Sequence, residues 1–276
     1  MESINPAAAG EDASAPALAP VVMDPSLLMA VSMGDCQALR TLLNHVCPTP
    51  VAPQVVVEVP DGSTITSGSS DVQHQEGASD QPAAPSAESL LEGVTPLGDT
   101  ALHVVAKSGY SSRENLDCAR VVYNKAKHLL DKPNNLGDTP LHFAARSGSR
   151  EMVHCLLELS KGEDGGSDRV ESFLRKQNMC GETALHDAIR KKNKDMVILL
   201  LTEDSQLARV PSAGMSPLYL AIFLEQYHIA IILHDEDNQL SYSGPDGQNA
   251  LHVSVMRDTG TLLFLEEVYT FMQYFA

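Results

Sequence analysis

One short phrase recurs along the chain and constrains it more than any other feature. It reads Gly98-Asp-Thr-Ala-Leu-His103, Gly137-Asp-Thr-Pro-Leu-His142, Gly181-Glu-Thr-Ala-Leu-His186, Gly214-Met-Ser-Pro-Leu-Tyr219 and Gly247-Gln-Asn-Ala-Leu-His252. Successive glycines are 39, 44, 33 and 33 residues apart, so the base period is 33, with insertions of six and eleven residues in the first two intervals. Self-similarity at such a period marks a stack of like units, each burying against its neighbours a face it cannot bury alone.

The unit Gly137–Glu158 is the clearest. Gly137 suits a turn at positive φ. Thr139 predicts a helix cap, and Pro140 the first helical position, where a missing N–H does no harm. Leu141, Ala144 and Ala145 share one face, and the two alanines allow a neighbouring helix to approach closely. Gly148 predicts a left-handed C-terminal cap, and Ser149 opens a second helix with the stripe Met152, Val153, Leu156 and Leu157. That stripe returns as Met196, Val197, Leu200 and Leu201, then as Ile229, Ala230 and Leu233, with His234 in the last place. Earlier in the chain it is Ala38, Leu39, Leu42 and Leu43, preceded by Leu27, Ala30 and Val31, with Asp24 and Pro25 as cap and first helical residue.

These residues resemble the ankyrin repeat, a turn plus two antiparallel helices whose hallmark reads G-x-T-P-L-H. The resemblance covers residues 24–43 and 95–265 and implies an all-α ankyrin-repeat solenoid, helix pairs joined by β-hairpin turns. Met23-Asp-Pro-Ser-Leu-Leu-Met-Ala30, Ala126-Lys-His-Leu-Leu-Asp-Lys-Pro-Asn134 and Ser216-Pro-Leu-Tyr-Leu-Ala221 are similar to plant membrane ankyrin proteins of the accelerated-cell-death and increased-salt-tolerance type. That group joins cytosolic repeats to a C-terminal multi-span domain and acts in defence, cell-death and stress signalling. The resemblance implies a non-enzymatic protein-interaction module, tethered to a membrane in its complete form. The alternative is a free soluble form that sequesters the partners of a membrane-bound relative.

The domain organisation follows. Residues 1–22 read as a disordered N-terminus and 24–43 as a degenerate opening helix pair. The stretch 44–94, with Pro48, Pro50, Pro53, Pro60, Pro82 and Pro85, reads as a disordered linker, because its composition cannot bury enough apolar area to offset chain entropy. Val55-Val56-Val57 is its only strand-like piece. Residues 95–265 hold five copies, the last incomplete, and 161–168 read as a flexible loop. In 266–276, Glu266 and Glu267 fall where an earlier copy has Leu156 and Leu157, and the tail 268–276 that follows them is uncharged and aromatic-rich. Terminal repeats normally present a polar outer face. The tail therefore reads as a truncated product or gene-model end, or else as a hydrophobic docking helix.

Composition narrows the chemistry. Acids outnumber bases 36 to 19, and the excess lies at the two ends: −11 over residues 1–94, +1 over 95–210 and −7 over 211–276. Phosphate contact needs clustered Lys and Arg, so nucleic acid is not an expected partner. Arg190-Lys-Lys-Asn-Lys194 is the one concentrated basic patch; it reads as a solvated helix-to-helix turn or an edge contact to an acidic partner or lipid headgroup. No apolar run reaches the length of a membrane span, and no signal peptide opens the chain. Membrane association is expected only through the family resemblance or a partner. Five cysteines without a CxxC pair predict reduced thiols and a cytosolic chain. No zinc-protease, P-loop or nucleophile-turn motif appears, and a stack of helix pairs offers a surface in place of a pocket. No catalytic residue, cofactor, metal or small-molecule substrate is expected.

His103, His142, His186 and His252 recur in phase, which marks a structural role. The resemblance implies that each braces its hairpin through Thr100, Thr139 or Thr183, with the turns at Gly98, Gly137, Gly181, Gly214 and Gly247. Tyr219 and Asn249 replace His and Thr in the last two copies, where the brace is in doubt. In ankyrin stacks partners dock on hairpin tips and the open side of each first helix. Carried onto matching positions, this implies candidate partner contacts at Asp99, Val104 and Lys107; Asp138, Phe143 and Arg146; Glu182, Asp187, Arg190 and Lys191; and Met215, Leu220 and Phe223. Aromatic residues, Met and Arg there would suit an interface core, since interfaces are enriched in them; otherwise Phe143, Leu220 and Phe223 pack between repeats.

Overall fold

The computed structural model describes residues 21–45, 86–108, 112–162, 166–237 and 239–257. Among them are thirteen α-helices: α1 Pro25–Met33, α2 Cys36–His45, α3 Ala87–Leu91, α4 Ala101–Lys107, α5 Arg113–Lys125, α6 Pro140–Ser147, α7 Arg150–Lys161, α8 Ser167–Leu174, α9 Ala184–Arg190, α10 Lys194–Glu203, α11 Pro217–Phe223, α12 Tyr227–Glu236 and α13 Ala250–Arg257. They stack in two rows. The inner row runs α1, α4, α6, α9, α11, α13, and the outer row α2, α5, α7, α10, α12, with α8 wedged between α7 and α10. Among the described residues there is no multi-residue strand, only isolated bridges. The fold is all-α.

Local chemistry sets the helix ends. Asp24 accepts from the backbone N–H of Ser26 (2.8 Å) and Leu27 (3.1 Å), and Pro25 occupies the first turn, so α1 starts there. Gly34 at φ 69° and Gly148 at φ 79° close α1 and α6 in the left-handed conformation. In the next two units Lys192 (φ 55°) and Glu225 (φ 57°) occupy the same turn. Met152, Val153, Leu156 and Leu157 are buried, as are Met196, Val197, Leu200, Leu201, Ile229, Ala230 and Leu233. Burying a Leu-sized side chain stabilises by roughly 1.5–3 kcal/mol, and these stripes meet the alanines of the inner row in one continuous core.

Three boundaries need correction. Residues 86–94 belong to the fold. Ser86 caps α3, Leu91 is fully buried where α3 meets α2 and α5, and Val94 pairs with the chain's first described residues: its N–H donates to Val21 O (2.8 Å) and its carbonyl accepts from Met23 N (2.9 Å). Val21 and Val22 are thereby tied in as well. The segment 161–168 holds the last residue of α7 and the first two of α8. Helix α8 forms because Val170, Phe173 and Leu174 share a face and are buried, filling the eleven-residue insertion. Residues 1–20, the linker over 46–85 with its Val55–Val57 piece, and the tail 258–276 lie outside the described residues.

The outer row carries a repeated clasp. Arg175, ending α8, makes two hydrogen bonds to Asp204 (2.6 and 2.8 Å), and Arg209 grips Asp237 in the same bidentate way. Both aspartates cap the C-terminus of the following outer helix. A planar guanidinium suits that two-point contact.

Candidate functional site

The face built by the hairpins and the inner row is the candidate site, and its geometry begins with the repeated histidine. Thr100 N donates to His103 Nδ1 (3.1 Å), so that nitrogen carries no proton. The proton therefore sits on Nε2, which donates to the Asp138 carbonyl of the next hairpin (2.9 Å). His142 repeats this between Thr139 N (3.1 Å) and Glu182 O (3.0 Å), and His186 between Thr183 N (3.1 Å) and Met215 O (2.8 Å). Each neutral imidazole braces its own helix start and latches the next repeat. Burial lowers the pKa of His103, and lowers that of His186 to about 4. In the fourth unit the Tyr219 hydroxyl donates to Gln248 Oε1 (2.6 Å), which keeps a latch. In the fifth, Asn249 N donates to His252 Nδ1 (3.2 Å) and Asn249 Oδ1 accepts from His252 N (3.1 Å).

The hairpin carboxylates stand elsewhere than the sequence implied. Asp99, Asp138 and Glu182 at the hairpins and Asp187 on α9 are all buried, so their expected exposure at the tips and on the open side of the inner helix is corrected. Asn134 Nδ2 donates to Asp99 Oδ1 (2.7 Å) and Asn178 Nδ2 to Asp138 Oδ1 (2.9 Å), joining successive hairpins. Arg146 donates to Asp138 Oδ2 (2.9 Å) and also holds Asp187, while Arg190 makes two hydrogen bonds to the Glu182 carboxylate. Burial by itself would raise the Asp138 carboxyl, but hydrogen bonds from Asn178 and Arg146 outweigh it and hold the group below its ordinary value. For Asp187 burial wins over Arg146 and the carboxyl is raised. These acids are occupied in holding hairpins together.

Phe143 and Leu220 are buried between repeats, and the His103 ring meets Phe143 edge-on at 5.2 Å. Val104 and Met215 are partly buried, and Arg146 is half-exposed above the Phe143 ring. Lys107, Arg190 and Lys191 are exposed. Phe223 is exposed, stacked on Tyr219 and covered on one side by Arg257, 4.6 Å from its ring centre. Lys107 has no ion-pair partner among the described residues. It lines two adjoining grooves, one with Leu28, Pro96, Leu97 and Val104, the other with Leu97, Leu136, Phe143 and Arg146.

Sequence reasoning missed Leu97, Leu136 and Met179. They are 60, 57 and 78% exposed at three consecutive hairpin tips. Backbone hydrogen bonds, Asn135 N to Leu97 O (3.1 Å) and Met179 N to Leu136 O (2.9 Å), hold the tips in a row. The available signal was an apolar residue one or two places before a turn glycine (Leu97 and Leu136 one, Met179 two), where there is no core to enter. Among the described residues no helix is long and apolar enough to cross a membrane, and no cluster of His, Cys, Asp and Glu is arranged for a metal ion.

A family model described as ankyrin repeats (3 copies) matches residues 78–168 and 163–241. No curated protein matches the chain. The match spans more than half the sequence and agrees with the two-row stack, the left-handed hairpin glycines and the histidine latches. Ankyrin stacks are protein-interaction modules, and this chain belongs to the ankyrin-repeat family.

Proposed function

We propose that the chain binds a partner protein across its hairpin tips and inner helices, without catalysing a reaction. The carrying observation is the row of exposed Leu97, Leu136 and Met179 beside Lys107, whose charge has no partner among the described residues. Asp138, Arg146, Glu182, Asp187 and Arg190 are paired with one another, so the face is apolar at its rim, with Lys107 unpaired among the described residues where the two grooves adjoin. A rigid frame holds these side chains in place without a backbone-ordering cost on docking, and Met is enriched at protein interfaces. The partner then presents apolar side chains to the tips and a carboxylate to Lys107. Arg146, Arg190, Lys191, Val104, Met215 and Phe223 complete the surface to the degree that each is open. The resemblance to plant membrane ankyrin proteins supports a role in defence, stress or cell-death signalling.

The test is quantitative affinity capture with the native chain and with Leu97, Leu136 and Met179 all changed to Asp. Exposed tip changes leave the thermal midpoint nearly unmoved, while the tip-dependent partner drops out of the captured set. A captured set identical for both proteins would refute the assignment. Fractionating the source tissue, with immunoblotting against residues 95–257, tests the family role. A membrane-pellet band places the repeats in an anchored signalling protein, and a free band of the chain's own size supports sequestration.

A further inference from the structure

Four of the cysteines lie among the described residues as free thiols, and two of them, Cys36 and Cys118, sit on helices that pack together. Cys36 is the first residue of α2, and Cys118 lies on α5, which packs along it. The approach is close because Gly34, just before α2, has no side chain: a Cβ there would stand 2.0 Å from Asn115 Oδ1. One turn further along α5 from Asn115, Cys118 comes near enough to Cys36 across the α2–α5 packing for the two thiols to influence each other.

The two thiols are chemically unequal. Cys36 is partly exposed, and Arg40, one turn along α2, donates from Nε to Cys36 Sγ at 3.3 Å. A guanidinium at that position balances the charge of a thiolate nucleophile. Cys118 is completely buried. Burial first, and the neighbouring Cys36 second, push its thiol up to about 12. One sulfur is thus open to a dissolved reagent beside a cation, and the other is protonated, shielded and on the helix packed against the first. Cys155 is buried on α7, and Cys180 is exposed at a hairpin tip.

We propose that Cys36 and Cys118 form a redox couple, with Cys36 the peroxide-reactive thiol and Cys118 its resolving partner. The oxidant is a hydroperoxide. The Cys36 thiolate attacks one peroxide oxygen and the O–O bond breaks. With hydrogen peroxide and one proton this gives Cys36 sulfenic acid and water. The Cys118 sulfur then attacks Cys36 Sγ; the S–O bond breaks, and the departing hydroxide takes the Cys118 proton and leaves as a second water. In sum, two thiols are oxidised to one disulfide and the peroxide is reduced to two waters.

The bond ties α1–α2, the first helix pair among the described residues, covalently to the next repeat, across everything between residues 36 and 118. End units of a stacked array have neighbours on one side only and open first. A cross-link closing so long a loop removes much of the freedom of the opened chain. Oxidation therefore locks α1–α2 onto the stack.

The experiment treats the reduced full chain with hydrogen peroxide, alkylates free thiols, digests without reduction and maps the peptides by mass spectrometry. The expected product is a Cys36–Cys118 linked peptide, two hydrogens lighter than its reduced parts and reversed by dithiothreitol, with a raised thermal midpoint. In Cys118→Ser the oxidation stops at a Cys36 sulfenic acid that dimedone traps. In Cys36→Ser, Cys118 stays a free thiol. Arg40→Met slows Cys36 oxidation several-fold and leaves Cys180 unchanged. Circular dichroism checks that each variant is folded, and if Cys118→Ser is not, the wild-type map still decides. Cys36 pairing with Cys47 or Cys180 while Cys118 stays alkylated would overturn the proposal, as would Cys36 reacting no faster than Cys180.

Discussion

Arg146 on α6 grips Asp187 on α9 across a repeat boundary, Nε to Oδ1 at 3.0 Å and Nη2 to Oδ2 at 3.1 Å. The same guanidinium reaches back to Asp138 of its own hairpin at 2.9 Å, so one side chain ties three elements together. Asp187 is buried, and burial raises its carboxyl against the pull of Arg146. The pair therefore limits the damage of a buried charge more than it adds stability.

Removing Arg146 leaves Asp187 without a cation. Arg146→Met is expected to destabilise the chain by about 1–2 kcal/mol, less than a fully enclosed pair because the guanidinium is partly in water. Asp187→Asn in that background restores part of the loss, since the orphaned charge is gone. Urea unfolding of the single and double variants measures both. A double variant no more stable than Arg146→Met would show that the charge of Asp187 was not the source of the cost.

Acid should loosen the latches. His186 is held neutral by burial, its pKa lowered from 6.5 to about 4, and that of His103 is lowered for the same reason. Below the ordinary imidazole value the unfolded chain takes up protons that the folded chain refuses. The contribution of His186 is thus complete above about pH 6.5 and is lost as the pH falls toward 4, roughly 3 kcal/mol at about 1.4 kcal/mol per pH unit. Asp187 works in the opposite sense near its own raised value, so the imidazole must be followed directly. Proton NMR of the folded chain is expected to show His186 still neutral at pH 5.5. An imidazole titrating near 6.5 would remove the buried latch from the account.

Legibility in the sequence follows the range of each interaction. Thr139, Pro140 and His142 lie within one helical turn, and Met152, Val153, Leu156 and Leu157 within two, so spacing alone reveals the cap and the buried stripe. The matching position in ankyrin stacks implies a place on the partner surface for Asp138, but its own partner Asn178 lies 40 residues on, in the next hairpin. The recurrence of Asn134 and Asn178 three residues before a turn glycine, with Asp138 or Glu182 one residue after it, was the available signal for that ladder. Helix α3 escaped notice because five residues give little periodicity; Leu91 is fixed by contacts with α2 and α5. On the candidate face, Lys107 and Lys191 are open as their polarity implies. Leu97, Leu136 and Met179 break the apolar-inside rule, which is why they went unread.

Two hairpin glycines separate backbone conformation from close packing. Gly137 (φ 79°) and Gly247 (φ 73°) share the left-handed turn. A Cβ on Gly137 would meet Met179 N at 2.6 Å, in the backbone of the next tip, whereas Gly247 has nothing within 4 Å. Gly247→Ala therefore carries only the conformational cost, about 1 kcal/mol. Gly137→Ala must also push two hairpins apart, for a total above about 2 kcal/mol. Thermal melts of the two variants compare them directly, and equal losses would mean that the tip ladder yields without resistance.

The turn between inner and outer helices offers a stabilising change. Gly34 and Gly148 adopt positive φ there, but Lys192 adopts φ 55° with a Cβ in a region that crowds the following carbonyl. Lys192 is exposed and has no ion-pair partner among the described residues, so its side chain returns little for that strain. Lys192→Gly removes the crowding and gives back part of the gain through a more flexible unfolded chain. The expected net effect is about 0.5–1 kcal/mol of added stability. Lys192→Ala is the control: it discards the charge, keeps the Cβ and should leave the thermal midpoint almost unchanged. If alanine stabilised as much as glycine, crowding between like charges in the Arg190–Lys194 patch would be the cause, and backbone strain would not.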